Sequence, residues 1–76
     1  MELNDFITSF ASQFDETDAN EFFAHTQFKT LTDWSSLAAL SVIAMVDEKY
    51  NIVIKGNDIR AATTIEDLFN IVKSLK

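Results

Sequence analysis

Asp33-Trp34-Ser35-Ser36-Leu37-Ala38-Ala39-Leu40 is the stretch on which the fold turns. A polar cluster ends in a serine, and the chain passes at once into an apolar run whose spacing predicts a helix from about Ser36 to Tyr50. Ala39, Val42, Ile43, Val46 and Tyr50 form one stripe, and Leu37, Leu40 and Ala44 widen it, so this helix should meet neighbours over much of its circumference. Ser41, Met45, Asp47 and Glu48 are left as a mixed outer face. Asp33 or Ser35 can cap the start. Ser36 then falls at or beside the first helical turn, where unpaired N–H groups and the positive end of the macrodipole favour an anion. A serine in that place is well sited to carry a phosphate ester. The plainer alternative is a helix cap with no chemistry.

On the N-terminal side, Leu3, Phe6, Ile7, Phe10, Ala11 and Phe14 recur at helical spacing and predict an amphipathic helix from Glu2 to about Phe14. Residues 15–34 lose that regularity. Asp15-Glu16-Thr17-Asp18-Ala19-Asn20-Glu21 is acidic and polar, with Phe22, Phe23, Phe28 and Leu31 as scattered anchors. The expectation is a long loop with one helical turn near Ala19 to Ala24. Loops of this length are commonly functional or tied down by their own apolar residues. The acids lack the glycine and the closing glutamate of a calcium loop, so no metal site is expected. His25, the single histidine, has no acid placed beside it by any motif and reads as a surface residue.

On the C-terminal side, Ile52-Val53-Ile54 is β-branched, but no second strand exists to pair with it. An extended segment that plugs its apolar side chains into the core is expected. Gly56-Asn57 signals a turn, and Asn57 to Ala61 a short helix. Thr63-Thr64-Ile65-Glu66 reads as a capping box with Thr63 as the cap and Glu66 at the third helical position. Ile65, Leu68, Phe69, Val72 and Leu75 then follow on one face, and Lys73 and Lys76 suit the negative end of that last helix. The fold class is all-α, and residues 1–76 make one domain.

Twelve acids against six bases give a net charge of −6. Lys29, Lys49, Lys55, Arg60, Lys73 and Lys76 are scattered, which disfavours nucleic acid binding. An acidic surface suits steering toward a basic protein partner. There is no cysteine, hence no disulfide and no thiolate metal site. The acidic start does not resemble a signal peptide. The longest block that is apolar apart from one serine, Leu37 to Val46, falls well short of the roughly 18 residues of a membrane span. A cytoplasmic monomer is expected. With no paired acid and base, no nucleophile matched to the histidine and no phosphate loop, the chain does not read as an enzyme.

The order of elements, together with the residues around Ser36, resembles the acyl carrier protein family. Ser36-Leu37 match the Ser-Leu of the family's Asp-Ser-Leu motif. Tyr50 stands where the family has an aromatic closing the second helix, after an acidic run to which Asp47-Glu48-Lys49 is similar. Ile54 matches the isoleucine of the next loop, Thr63-Thr64-Ile65 the Thr-Thr-Val that opens the last helix, and Phe28 the phenylalanine of the long loop. The pattern is departed from at Ser35, which replaces the motif's aspartate and leaves Asp33 as the nearby acid. Asp33-Trp34 stand for the usual Gly-Ala, and Ala38 and Ser41 for two acids of the second helix.

The resemblance implies a four-helix bundle of the acyl-carrier type, with a long loop between the first two helices and a short third helix. It implies 4′-phosphopantetheine on Ser36, attached by a phosphopantetheinyl transferase. The chain would then carry acyl groups as thioesters for fatty-acid or specialised lipid or polyketide-type synthesis. The implied partners are acyl-transferring or synthase enzymes with basic or apolar docking faces. They would meet Leu37, Ala38, Ser41, Met45, Asp47 and Glu48, an outer face more apolar than is usual in the family. Leu40, Ile54, Ile59, Ala62, Phe69 and Val72 are the expected lining of an acyl cavity, and Trp34 is expected half-buried beside the entrance. The competing readings are an unmodified helical interaction module and a carrier of aminoacyl or peptidyl groups.

Overall fold

The computed structural model describes residues 2–75 and places four α-helices in them: α1 (Leu3–Ala11), α2 (Ser36–Tyr50), α3 (Gly56–Ala61) and α4 (Ile65–Ser74). Two 3-10 turns, Ala19–Glu21 and Phe28–Thr30, punctuate the long connection, and no strand occurs among the described residues. Met1 lies outside the described residues, as does Lys76, expected at the end of the last helix.

Each helix stops for a local reason. α1 ends at Ala11, three residues before the end of its apolar pattern. The Ser12 hydroxyl and the Gln13 side-chain Nε2 both donate to the Ser9 carbonyl, at 2.7 and 3.1 Å, in competition with the helical ladder. The Gln13 and Phe14 amides tighten to the carbonyls three residues back, which keeps Phe14 on the stripe. α2 closes on Asn51, in the left-handed region at φ 58°, whose N–H reaches the Asp47 carbonyl at 2.9 Å. Asparagine is one of the few residues other than glycine that takes this conformation readily. Ile52 and Ile54 then turn inward and are buried, while Val53 between them is exposed.

The Gly56-Asn57 pair opens α3 directly, and the Asp58 carboxylate accepts the Lys55 N–H at 2.9 Å. The capping box of α4 sits one residue later than Thr63 and Glu66: Thr64 is the cap, and its hydroxyl accepts the Asp67 N–H at 3.1 Å. Asp67 in return accepts the Thr64 and Thr63 amides, at 3.0 and 3.1 Å. Those two N–H groups stabilise its anion and pull its carboxyl below the usual range. The register moves because the Glu66 amide is already committed elsewhere. It donates to the Ala24 carbonyl at 2.9 Å, and the neighbouring Ile65 amide donates to Thr26 at 3.1 Å.

The long connection is thus bolted to both later helices. Its carbonyls take two of the free N–H groups at the start of α4. Lys29 Nζ donates to the Ile59 and Arg60 carbonyls at the end of α3, at 3.3 and 3.1 Å. Phe22 and Phe28 are buried from the same segment.

The core is an aromatic file. Phe6, on α1, meets Phe69 of α4 edge-on at 5.6 Å and Tyr50 at 6.0 Å. Phe10, one turn on, meets Phe28 edge-on at 5.3 Å, and Phe14 stacks on Trp34 at 6.2 Å. Such pairs add to area burial by ~1 kcal/mol each. Val42, Val46, Ile65, Leu68 and Val72 fill the remainder, fully buried. The radius of gyration, 11.0 Å, is that of a well-packed chain of this length, about 11 Å.

Candidate functional site

Ser35 and Ser36 divide two tasks. Ser35 is extended, with φ −156° and ψ 174°, and its hydroxyl accepts the Ala38 N–H at 3.1 Å. It is the cap of α2. Ser36 is the first helical residue and is exposed, so its hydroxyl stands at the amide-rich end of the helix without serving as the cap. Leu37, directly after it, is 72% exposed.

The segment before Ser36 is held by its own anchors. Trp34 is half-buried, as expected, edge-on to Phe28 at 4.9 Å. The Asp33 carboxylate accepts the Thr17 hydroxyl at 2.6 Å, which ties this segment to the acidic stretch that follows α1. A depression of about 480 Å³ beside the serine pair is lined by Phe14, Asp15, Glu16, Asp33, Ser35 and Leu37 among others. Asp33 therefore supplies an acid near the serines, and two more come from the long connection.

The outer face of α2 differs from the expected one. Ala38 and Met45 are buried, each 8% exposed. Both turn toward the end of α1, where Met45 meets the surroundings of Ser9, Ser12 and Gln13 and Ala38 those of Gln13 and Phe14. Ser41 is half-buried, while Asp47 and Glu48 are exposed. The apolar positions left in solvent are Leu37, Leu40 at 61% and Ala44, at i, i+3 and i+7. The helix is rotated by about one residue from the reading of the sequence. Because α2 is apolar nearly all round, periodicity alone cannot select the inward face. Leu40 consequently does not line the interior. Ile54, Ile59, Ala62, Phe69 and Val72, the other residues expected around an acyl chain, are packed in the core.

His25 is exposed and stacks flat on Phe23 at 5.6 Å. The Tyr50 hydroxyl is buried without a hydrogen-bond partner, with Ser9 nearby. Burial pushes the phenol up; Ser9 opposes this and Asp5 reinforces it. Among the described residues no group of three His, Cys, Asp or Glu side chains is placed to hold a metal ion, and no helix is long and apolar enough to cross a membrane.

No family model matches the chain, and no curated protein or solved structure matches it significantly.

Proposed function

We propose that this chain is a carrier domain of the acyl-carrier type, with Ser36 as the attachment point of 4′-phosphopantetheine. One observation carries the reading. Ser35 makes the capping bond, and this frees the Ser36 hydroxyl at the first position of α2, exposed and followed by an exposed leucine. A phosphate ester on that oxygen would be favoured by the free N–H groups and the positive end at the start of a 15-residue helix. The group supplies a thiol, which holds an acyl chain as a thioester. The protein's part is to hold the serine still and in the open, through Trp34 against Phe28 and Asp33 against Thr17.

Partner enzymes meet the ridge of Leu37, Leu40 and Ala44, with Asp47 and Glu48 at its far end. Ala38 and Met45 act from beneath by fixing the rotation of the helix. Apolar anchors of this kind govern dissociation, while the distal acids contribute to steering.

The test is intact mass after incubation with coenzyme A, magnesium and a broad-specificity phosphopantetheinyl transferase. The wild type and Ser35→Ala should each gain one phosphopantetheine, and Ser36→Ala none. A gain that survives Ser36→Ala moves the site. No gain in the folded wild type leaves the unmodified interaction module as the better reading.

A further inference from the structure

A second surface lies on the other flank of α1. Ile7, Ala11, Phe14, Phe22 and Phe23 floor a groove of about 630 Å³ between α1 and the long connection, with Thr8 and Thr17 among its polar edges. Its size falls within the range of about 300–1,000 Å³ usual for binding clefts. Of its lining residues only Phe14 also borders the depression beside Ser36. Phe23 is 52% exposed, an uncommon state for phenylalanine in a chain with so much aromatic core.

The charge around this groove is one-sided. Residues 1–28 contain six acids, Glu2, Asp5, Asp15, Glu16, Asp18 and Glu21, and no lysine or arginine. Residues 29–76 contain six acids and six bases. The entire net charge of −6 thus belongs to the segment that builds the groove. Asp5, Asp15, Glu16, Asp18 and Glu21 are all exposed, and each is an immediate chain neighbour of a lining residue. The lining itself carries no charge. An apolar floor within an acidic rim is complementary to an apolar stripe flanked by lysine and arginine.

We infer that this groove docks a basic amphipathic helix of a partner protein. An extended peptide would want a free strand edge, and none exists among the described residues. The nine residues of α1 give a wall about 14 Å long, enough for two to three turns of helix with anchors at i, i+4 and i+7. The apolar anchors seat on Ile7, Ala11 and Phe23, and the basic flanks face the carboxylates. The surface works without Ser36, so a partner held here leaves the start of α2 open.

The probe is a 14-residue leucine–lysine peptide with one tryptophan and its apolar residues on one helical face. It is titrated into the ¹⁵N-labelled protein at physiological salt. Amides of Ile7, Ala11, Phe22 and Phe23 should shift, and those of Leu37, Leu40 and Ala44 should not. A peptide of the same composition with its leucines scattered round the helix should bind at least tenfold more weakly. Phe23→Ser, a surface change that spares the core, should weaken the designed peptide about tenfold. Glu16→Gln with Glu21→Gln should flatten the salt dependence of binding. Equal binding of the two peptides would reduce the effect to bulk charge and overturn the inference. Shifts centred on the α2 ridge would do the same. Groove amides that move on concentrating the protein alone would make the occupant a second copy of this chain, and the proposal would fail.

Discussion

Replacing Ser35 and Ser36 one at a time should separate stability from modification. The Ser35 hydroxyl satisfies the Ala38 N–H at 3.1 Å, and removing such a cap costs about 1 kcal/mol. Unfolding entropy of about 2.1 cal/mol/K per residue gives ~0.16 kcal/mol/K for 76 residues. The midpoint of Ser35→Ala should therefore fall by about 6 °C. Ser36 is exposed at the first helical position, where alanine is the better helix former by a few tenths of a kcal/mol. Ser36→Ala should melt at or slightly above the wild-type temperature. Circular dichroism melts of the three unmodified proteins, with urea titrations to check that the m-value is unchanged, measure both. Were Ser36→Ala the variant that loses 6 °C, the assignment of cap and free hydroxyl would be reversed, and the argument for Ser36 would pass to Ser35.

Tyr50→Phe should stabilise by up to ~1 kcal/mol, because it removes a buried hydroxyl that lacks a partner. A loss of that size in the same melts would show that the hydroxyl is bonded to Ser9 in solution. Asp67 has its carboxyl pulled down by the Thr64 and Thr63 amides. Its contribution is present above the unfolded value near ~4 and is lost as pH falls through the lowered folded value. The stability gap between the wild type and Asp67→Ala should thus be constant from pH 7 to 5 and close below about pH 4. A gap that persisted at pH 2 would show that the carboxylate's charge has no part in it.

The boundaries of α2 were legible because a polar cluster precedes Ser36 and the apolar stripe ends at Tyr50. The inward turn of Ile52 and Ile54 was equally legible, since three β-branched residues without a partner strand have few other uses. The rotation of α2 is not legible: the spacing puts Ala38 and Met45 on the outer face, and both are buried. Which side of an almost wholly apolar helix faces inward is decided by its neighbours, and here a small residue and a pliable one, Ala38 and Met45, fill the inner side. The shift of the last capping box was hidden for a related reason. Thr63 with Glu66 and Thr64 with Asp67 fit the same motif, and only the carbonyls of Ala24 and Thr26, about forty positions upstream, break the tie. At the candidate site, the helix start at Ser36 was legible, whereas the choice between Asp33 and Ser35 as its cap needed the geometry.

Those two carbonyls make a reporter of the last helix. The Ile65 and Glu66 amides are shielded by bonds to the long connection and not by the helix they begin. Whenever the connection lifts, both must open to water, while the amides of Leu68 and Phe69 stay closed within α4. The exchange lifetimes of two protons in one helix therefore time the breathing of a distant loop. A ligand that settles on that loop would be registered as a slower clock at the opposite end of the chain.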